Sequence, residues 1–168
     1  MKNSILTIDP GTRHWGVSVF HGEEIITCMV KNLSAKDSSE NRLRETRKIF
    51  LGLCRNYSPD VLVIEKPYDF WESQSTYLGS IIREVKRLSK KEKIKVVEFS
   101  PGTIRKVICN DENATKQNIA EIICQFYPEL KAYLDHNRKY KDKYWGHMSD
   151  SIGFGICYLM SQKKSNKV

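Results

Sequence analysis

Residues 4–20 read SILTIDPGTRHWGVSVF, and this stretch decides the fold. An apolar run stops at Asp9, the turn residues Pro10-Gly11-Thr12 follow, and an alternating run begins at Trp15. Two such runs around a Pro-Gly turn predict a pair of strands. Asp9 then lies at the end of the first strand, near the turn, where its carboxylate can bind a cation. The alternative is an aspartate that only starts the turn.

The same pattern returns in the middle of the chain. Residues 61–64, VLVI, form a continuous apolar run that stops at Glu65. A run of this kind is typical of a strand buried on both faces. Because parallel crossovers are right-handed, this strand is expected beside the first one. Asp9 and Glu65 would therefore end neighbouring strands, close together.

Hydrophobic periodicity predicts the remaining elements. Strands are predicted at 24–30 and 94–99, and helices at 41–56, 73–90, 101–108, 114–126 and 148–160, with 130–145 mainly a loop. The fold class is α/β: a five-stranded mixed sheet, three antiparallel strands followed by two parallel ones, flanked by helices. Residues 1–162 are expected to form a single domain, and 163–168 a basic, frayed tail.

Composition narrows the class of partner. The 28 lysines and arginines against 20 acidic residues give a net charge of +8, which favours a polyanion, nucleic acid first. A basic surface without a partner is the alternative. The five cysteines form no CxxC pair and are odd in number, which argues against a zinc site or a secreted disulfide framework. Because the first strand begins almost at Met1 and no apolar run reaches membrane length, an intracellular protein without a targeting segment is expected.

A third carboxylate stands in the run GHMSD at 146–150, at the start of the last predicted helix. His147 and Asp150 are three residues apart and share a helix face, with Cβ atoms about 5–6 Å apart. Taken singly, Asp150 could be an acid that favours a helix N-terminus, and His147 a surface or capping histidine. Together with Asp9 and Glu65, they form a cluster of like-charged or metal-binding groups, which is unfavourable without a cation because nearby carboxylates raise one another's pKa.

The donor set of this cluster indicates the metal. Carboxylate oxygens suit Mg²⁺ or Mn²⁺, and the histidine is compatible with Mn²⁺. Two such ions about 3.5–4 Å apart would activate water and stabilise the leaving 3′-oxygen in phosphodiester cleavage.

Five motifs resemble, in family order, those of the RuvC Holliday junction resolvases, which have the RNase H-like nuclease fold. They are IDPGT..WG at 8–16, PDVLVIE at 59–65, FSPGTIRK at 99–106, ATKQNI at 114–119 and HMSDSIGFGICY at 147–158. The resemblance covers nearly the whole chain. It implies that Asp9, Glu65, His147 and Asp150 form the metal-binding catalytic set, with two Mg²⁺ ions per active site and Mn²⁺ able to substitute.

The resemblance also implies roles for basic and aromatic residues. Lys116 matches a lysine close to the cleaved phosphate, and Arg105, with Lys106 adjacent, matches a basic position ahead of it. Such groups can hold a phosphate or stabilise charge in the transition state, and solvated helix charges are the alternative. Tyr68 matches an aromatic residue that wedges into the junction centre, and Phe70 follows closely. Both could stack on unpaired bases, or form a local hydrophobic cluster instead.

Two segments depart from the family pattern. Residues 131–145 are longer and more basic than is usual, and Arg138 and Lys139 within them are expected to contact DNA phosphates in a salt-sensitive way. The run NDENAT at 110–115 lacks the glycines common in the family.

The implied activity is that of a Mg²⁺-dependent crossover junction endodeoxyribonuclease that nicks four-way DNA junctions symmetrically. Two nicks of matched polarity need two sites related by a two-fold axis, so a homodimer is expected. The helix at 73–90 is the expected interface, with Leu78, Ile82 and Val85 facing the partner. Two alternatives stay open: a nuclease of the same fold acting more broadly on branched DNA or RNA–DNA hybrids, and a non-catalytic nucleic-acid-binding module.

Overall fold

A mixed five-stranded sheet forms the centre of the protein. A computed structural model describes residues 3–34, 38–66, 77–134 and 142–165 of the 168-residue chain. The strands are β1 (Ser4–Asp9), β2 (His14–His21), β3 (Glu24–Asn32), β4 (Val61–Glu65) and β5 (Lys95–Phe99). They lie in the order β3-β2-β1-β4-β5, with β1, β2 and β3 antiparallel and β4 and β5 parallel to β1. The predicted sheet, and the position of β4 beside β1, are confirmed.

Helices cover both faces of this sheet. They are α1 (Ser39–Tyr57), α2 (Tyr77–Lys91), α3 (Pro101–Cys109), α4 (Lys116–Phe126), the short α5 (Lys131–Leu134) after a 3₁₀ turn at Pro128–Leu130, and α6 (Asp142–Ser165). None of the described helices combines the length and apolar character that crossing a membrane requires.

Alternating side chains divide the interior into two cores. Val17 of β2 packs on the side of α1 and α2, where Phe50 and Val85 are fully buried. Ile5 of β1 packs on the opposite side, against α3, α4 and α6, where Ile152 is fully buried. The central strands are therefore apolar on both faces, which is why their sequences read as continuous hydrophobic runs.

Two glycines allow α6 to lie directly on the sheet. A Cβ atom at Gly16 of β2 would lie 1.8 Å from the carbonyl oxygen of His147, and one at Gly155 would lie 2.2 Å from the ring of Phe20. These contacts leave no room for a side chain, so the helix axis approaches β2 more closely than larger residues would permit.

The C-terminal half contains more helix than the sequence predicted. The predicted loop at 130–145 is wrong for its described residues, because Leu130 ends a 3₁₀ turn, α5 follows, and α6 already begins at Asp142. Asp150 therefore lies more than two turns inside α6, and the alternative that it favours a helix N-terminus falls away. The helix also continues to Ser165, so the predicted frayed tail from 163 begins too early.

The predicted dimer face of α2 is wrong for two of its three residues, and a dimer interface on this helix stays a prediction. Ile82 and Val85 are only 3% and 0% exposed, and Leu78 packs against the same core. This apolar face covers the protein's own sheet rather than a partner. The helix begins at Tyr77 in the described residues, and residues 73–76 of the predicted helix lie outside them.

Candidate active site

Two carboxylates meet at one edge of the sheet. β1 ends at Asp9 and β4 ends at Glu65, and the parallel register pairs Ile8 with Ile64 immediately before them. Alternate residues of a strand share a face, so Asp9 points to the same side as Thr7, whose hydroxyl contacts α6. The strand register alone thus places both carboxylates side by side, facing α6.

Helix α6 adds the other two predicted ligands. His147 Nδ1 lies 2.7 Å from Asp9 Oδ2, so helix and strand are joined directly at the site. Asp150 lies one turn further along the same helix, and its Oδ2 accepts a hydrogen bond of 2.5 Å from Lys116 Nζ. Asp9 is only 8% exposed and its contact with His147 is partly buried, whereas the contact between Lys116 and Asp150 is exposed to solvent.

A capping box fixes the position of Lys116 at the start of α4. The Thr115 hydroxyl oxygen accepts from the backbone N–H of Asn118, and the Asn118 side chain accepts from the backbone N–H of Thr115. This reciprocal pair satisfies two backbone donors and holds the helix start in one geometry. Lys116, the first residue of the helix, is thereby aimed at Asp150.

These residues line a cleft with a volume of about 320 Å³. Its walls come from the ends of β1 and β4 and from α3, α4 and α6. The lining residues are Asp9, Pro10, Glu65, Pro101, Ile104, Arg105, Lys116, Ile119, His147, Asp150 and Phe154. An acidic floor with two basic side chains on its wall is suited to a ligand that carries both cations and phosphate.

Burial and the charge of Asp9 disfavour the ionisation of Glu65 and Asp150. Burial raises the pKa of Glu65 to about 7, and the charges of Asp9 and Asp150 add to this effect. The pKa of Asp150 is also raised, first by burial and then by the charge of Asp9, whereas Lys116 lowers it. The cluster therefore holds more negative charge than its surroundings stabilise, which is the condition that a bound cation relieves.

The two cationic side chains respond to the same charges. The hydrogen bond to Asp9 raises the pKa of His147 against the opposing effect of partial burial. Partial burial lowers the pKa of Lys116, but the charge and hydrogen bond of Asp150 outweigh it, so that its pKa is raised overall. Both groups are thus stabilised in their protonated forms beside the carboxylates.

The chemistry of the donor set fits a divalent cation. Asp9, Glu65 and Asp150 offer hard oxygen atoms of the kind that Mg²⁺ and Mn²⁺ bind. Among the described residues, no group of three potential ligand side chains is arranged to hold an ion as it stands. One oxygen of each aspartate is already engaged, Oδ2 of Asp9 by His147 and Oδ2 of Asp150 by Lys116.

The structure separates the remaining predicted site residues. Arg105 lines the cleft. Lys106 does not, and its Nζ lies 2.8 Å from Glu112 on an exposed surface. The predicted DNA-contacting residues that lie outside the described part of the chain are Tyr68, Phe70, Arg138 and Lys139. The structure brings together Asp9, Glu65, Lys116, His147 and Asp150, and their roles in metal binding and catalysis stay predictions.

Sequence reasoning missed a set of buried hydroxyl groups behind the site. Thr7, Ser18 and Ser151 are each 0% exposed and are linked by hydrogen bonds between the sheet and α6. The available signal was a polar residue inside each of two otherwise apolar strands. Sequence reasoning also missed His14, whose ring centroid lies 6.1 Å from that of His147.

The sheet order and the helical layers define an RNase H-like fold, with an acidic cleft at the ends of β1 and β4. Residues 5–137 match the family model described as crossover junction endodeoxyribonuclease RuvC. The chain therefore belongs to the RuvC family, and the predicted resemblance is confirmed.

Individual relatives agree with this assignment. Crossover junction endodeoxyribonuclease RuvC of Chlamydia caviae is 29% identical over 125 residues, which cover 71% of this chain and 74% of the relative. The corresponding protein of Bacteroides fragilis is 27% identical over 124 residues, covering 71% and 66%.

Solved structures share the fold. Thermus thermophilus RuvC, in complex with a Holliday junction substrate, matches with a TM-score of 0.76 at 15% identity, covering 97% of this chain and 96% of that one. The yeast mitochondrial Holliday junction resolvase matches with a TM-score of 0.71 at 16% identity, covering 95% and 78%.

Proposed function

We propose that this protein is a Holliday junction resolvase, an endonuclease that makes paired symmetric nicks in four-way DNA junctions by metal-dependent phosphodiester hydrolysis. The observation that carries the proposal is the cleft in which Asp9, Glu65 and Asp150 converge beside Lys116. Family membership supports the reaction, and the T. thermophilus relative of the same fold was solved with a Holliday junction.

The proposed cofactor is Mg²⁺, two ions per site, with Mn²⁺ able to substitute. Asp9, Glu65, His147 and Asp150 would hold them. When bound, such ions supply an activated water nucleophile and offset negative charge on the scissile phosphate and the leaving 3′-oxygen. The products would then be 5′-phosphate and 3′-hydroxyl ends.

The basic wall of the cleft has a separate role. Lys116 projects into the cleft from a capped helix start, so its ammonium group can contact a phosphate oxygen next to the carboxylates. Arg105 lines the same wall and can hold a neighbouring phosphate of the cleaved strand. Together they would orient the phosphodiester so that its reacting face points at the acidic floor.

A homodimer is part of this proposal. Symmetric nicks on opposite strands need two active sites related by a two-fold axis. Ile82 and Val85 of α2 are buried in the protein's own core, so the interface must be formed by other residues of this helix or by another surface. Sedimentation velocity, with and without junction DNA, tests this directly. A protein that stays monomeric in both conditions would contradict the paired-nick mechanism.

The decisive experiment is cleavage of a labelled synthetic four-way junction in Mg²⁺ by wild type and Asp150→Asn. Wild type should produce paired symmetric nicks, whereas Asp150→Asn should bind the junction and leave it intact. Lys106→Ala is the matched control, because Lys106 lies outside the cleft and should not be needed for cutting.

The other outcomes separate the competing functions. Binding without cutting by both proteins would favour a non-catalytic nucleic-acid-binding module. Equal cutting of flaps, RNA–DNA hybrids and junctions by wild type would keep the active site and overturn the proposed substrate.

A further inference from the structure

Three buried hydroxyl groups form a hydrogen-bond network next to the carboxylates, starting two residues before Asp9 on β1. Thr7 Oγ1 donates to the backbone carbonyl of Ser151 at 2.7 Å, and the hydroxyl oxygens of Ser18 and Ser151 lie 2.5 Å apart. The Ser151 hydroxyl lies 2.7 Å from the carbonyl of Met148 within the same helix. If Ser151 donates to Met148, Ser18 must donate to Ser151, and every member has a partner.

The surroundings of this network are otherwise apolar. Ile5, Phe20 and Ile152, all 1% exposed or less, belong to the core on this side of the sheet. Apolar contacts are non-directional, so they specify the position of a helix less sharply than hydrogen bonds do. Hydrogen bonds weaken steeply when distance or angle changes, so this network specifies one register of α6 on the sheet.

The network and the carboxylates lie on the same two elements, β1 and α6. Thr7 precedes Asp9 by two residues on β1, and the two side chains therefore share a strand face. Thr7 also pairs with Ser18 across the β1–β2 ladder. On the helix, Ser151 directly follows Asp150, so a shift of Ser151 along the sheet moves Asp150 by the same amount.

We propose that Thr7, Ser18 and Ser151 are positioning residues that hold Asp150 at the separation from Asp9 that a divalent cation needs. The inference rests on the proposed function, because it concerns the same carboxylates. None of the three lines the cleft, so they act through Asp9 and Asp150 rather than on DNA.

The test uses Thr7→Val and Ser151→Ala, which remove one hydroxyl each and keep the side chain small. Titration calorimetry with Mn²⁺ in the absence of DNA should show affinity weaker than wild type by up to about tenfold, the low end of the losses caused by removing a direct partner of a metal ligand. The Mg²⁺ concentration that gives half-maximal junction cleavage should rise in parallel. Junction affinity measured without a divalent ion should stay unchanged.

Two further variants separate positioning from general stability. Ser89 is also 0% exposed, but among the described residues its hydroxyl bonds only to the Val85 carbonyl of its own helix, on the other face of the sheet. Ser89→Ala removes a buried hydroxyl remote from the site and should leave Mn²⁺ affinity unchanged. Thr7→Ser keeps the hydroxyl and should restore the affinity that Thr7→Val loses. Equal losses of Mn²⁺ affinity in Thr7→Val and Ser89→Ala, or none in Thr7→Val, would overturn the proposal.

Hydrogen exchange of the metal-free protein makes the proposal testable without cleavage. Thr7→Val should accelerate exchange of the α6 amides at 148–155, and Ser89→Ala should not. If wild type neither binds Mn²⁺ nor cuts junctions, the proposed function fails. The hydrogen-exchange result still decides whether the network holds α6 in one register on the sheet. Unchanged protection of α6 in Thr7→Val rejects this role, and faster exchange confined to α6 supports it.

Discussion

The carbonyl group of His147 packs against the Cα atom of Gly16, so closely that a Cβ atom there would lie 1.8 Å from the carbonyl oxygen. Gly16 is also the cross-strand partner of Asp9. One backbone contact therefore sets the distance between the helix that carries His147 and Asp150 and the strand that carries Asp9. The active-site geometry depends on the absence of a side chain at a residue that has no chemistry of its own.

Gly16→Ala is expected to displace α6 and weaken both stability and catalysis. Because the new methyl group meets backbone atoms rather than a movable side chain, overpacking should cost about 3 kcal/mol of unfolding free energy. Junction cleavage should fall strongly because His147 and Asp150 move away from Asp9. Urea denaturation and single-turnover cleavage measure the two effects.

Gly52→Ala is the matched control for that variant. A Cβ atom at Gly52, in the middle of α1, meets no atom within 4 Å. Alanine should therefore stabilise the protein by about 0.5–1 kcal/mol through helix propensity and leave cleavage unchanged. Equal behaviour of the two alanine variants would show that the contact between Gly16 and His147 does not constrain the site.

Glu65→Gln should stabilise the metal-free protein at high pH. The folded-state pKa of Glu65 is about 7, raised from 4.5 by burial and by the charges of Asp9 and Asp150. Because the folded state holds this proton more tightly, wild type loses stability as pH rises from about 4.5 through about 7. The glutamine variant lacks this loss, so it should exceed wild type by roughly 1–3 kcal/mol at pH 8 and not at pH 4.

Denaturation at several pH values in EDTA measures this difference. Glu24→Gln, at the exposed start of β3, serves as the control for removing a carboxylate outside the site. If the stability of Glu65→Gln follows that of wild type between pH 4 and pH 8, Glu65 does not carry the charge repulsion of the site. Added Mg²⁺ should reverse the order, because it stabilises only the protein with the full carboxylate set.

Arg105 and Lys106 should differ in their contribution to DNA binding, although they are adjacent in sequence. Arg105 lines the cleft, whereas Lys106 is paired with Glu112 outside it. Arg105→Ala should weaken junction binding and lower the slope of log Kd against log salt by about 1. Lys106→Ala should change neither. Salt titrations of junction affinity without a divalent ion measure both slopes. A larger loss of slope in Lys106→Ala than in Arg105→Ala would contradict this prediction.

The carboxylate pair was predictable because local patterns decided it. Asp9 and Glu65 each follow a short apolar run, and the handedness of parallel crossovers then brought the two strand ends together. The strand order needed no knowledge of side-chain packing. For this reason the sheet and the acidic end of the cleft followed from the sequence.

The helical errors have a different origin. An amphipathic helix shows the same apolar stripe whether it packs on its own sheet or on a partner, so Ile82 and Val85 were assigned to the wrong surface. The start of α6 at Asp142 has a polar and aromatic sequence without apolar periodicity. The hydroxyl network could not be predicted either, because it depends on which helix crosses Thr7 and Ser18.

Glu84 should join α1 to α2 in a pH-dependent way. Its carboxylate, only 12% exposed, lies 2.5 Å from Arg47 Nε on α1 and 2.8 Å from Arg87 Nη2 on α2. Hydrogen bonds from Arg87 and then from Arg47 outweigh burial and lower the pKa of Glu84 to about 2. Both arginines are largely solvated, which limits the contribution to stability to about 1 kcal/mol.

The sign of this contribution gives the test. Because the folded-state pKa of Glu84 is lowered, its carboxylate stabilises the protein at pH values above about 4.5, the ordinary pKa. This stabilisation is lost as the pH falls toward about 2. Glu84→Gln should therefore be about 1 kcal/mol less stable than wild type at pH 7, and the gap should close as the pH approaches 2. Glu112→Gln removes a pair in which both side chains are more than 60% exposed, and it should have almost no effect. A gap that is constant with pH would mean that Glu84 stabilises the helix pair by packing rather than by charge.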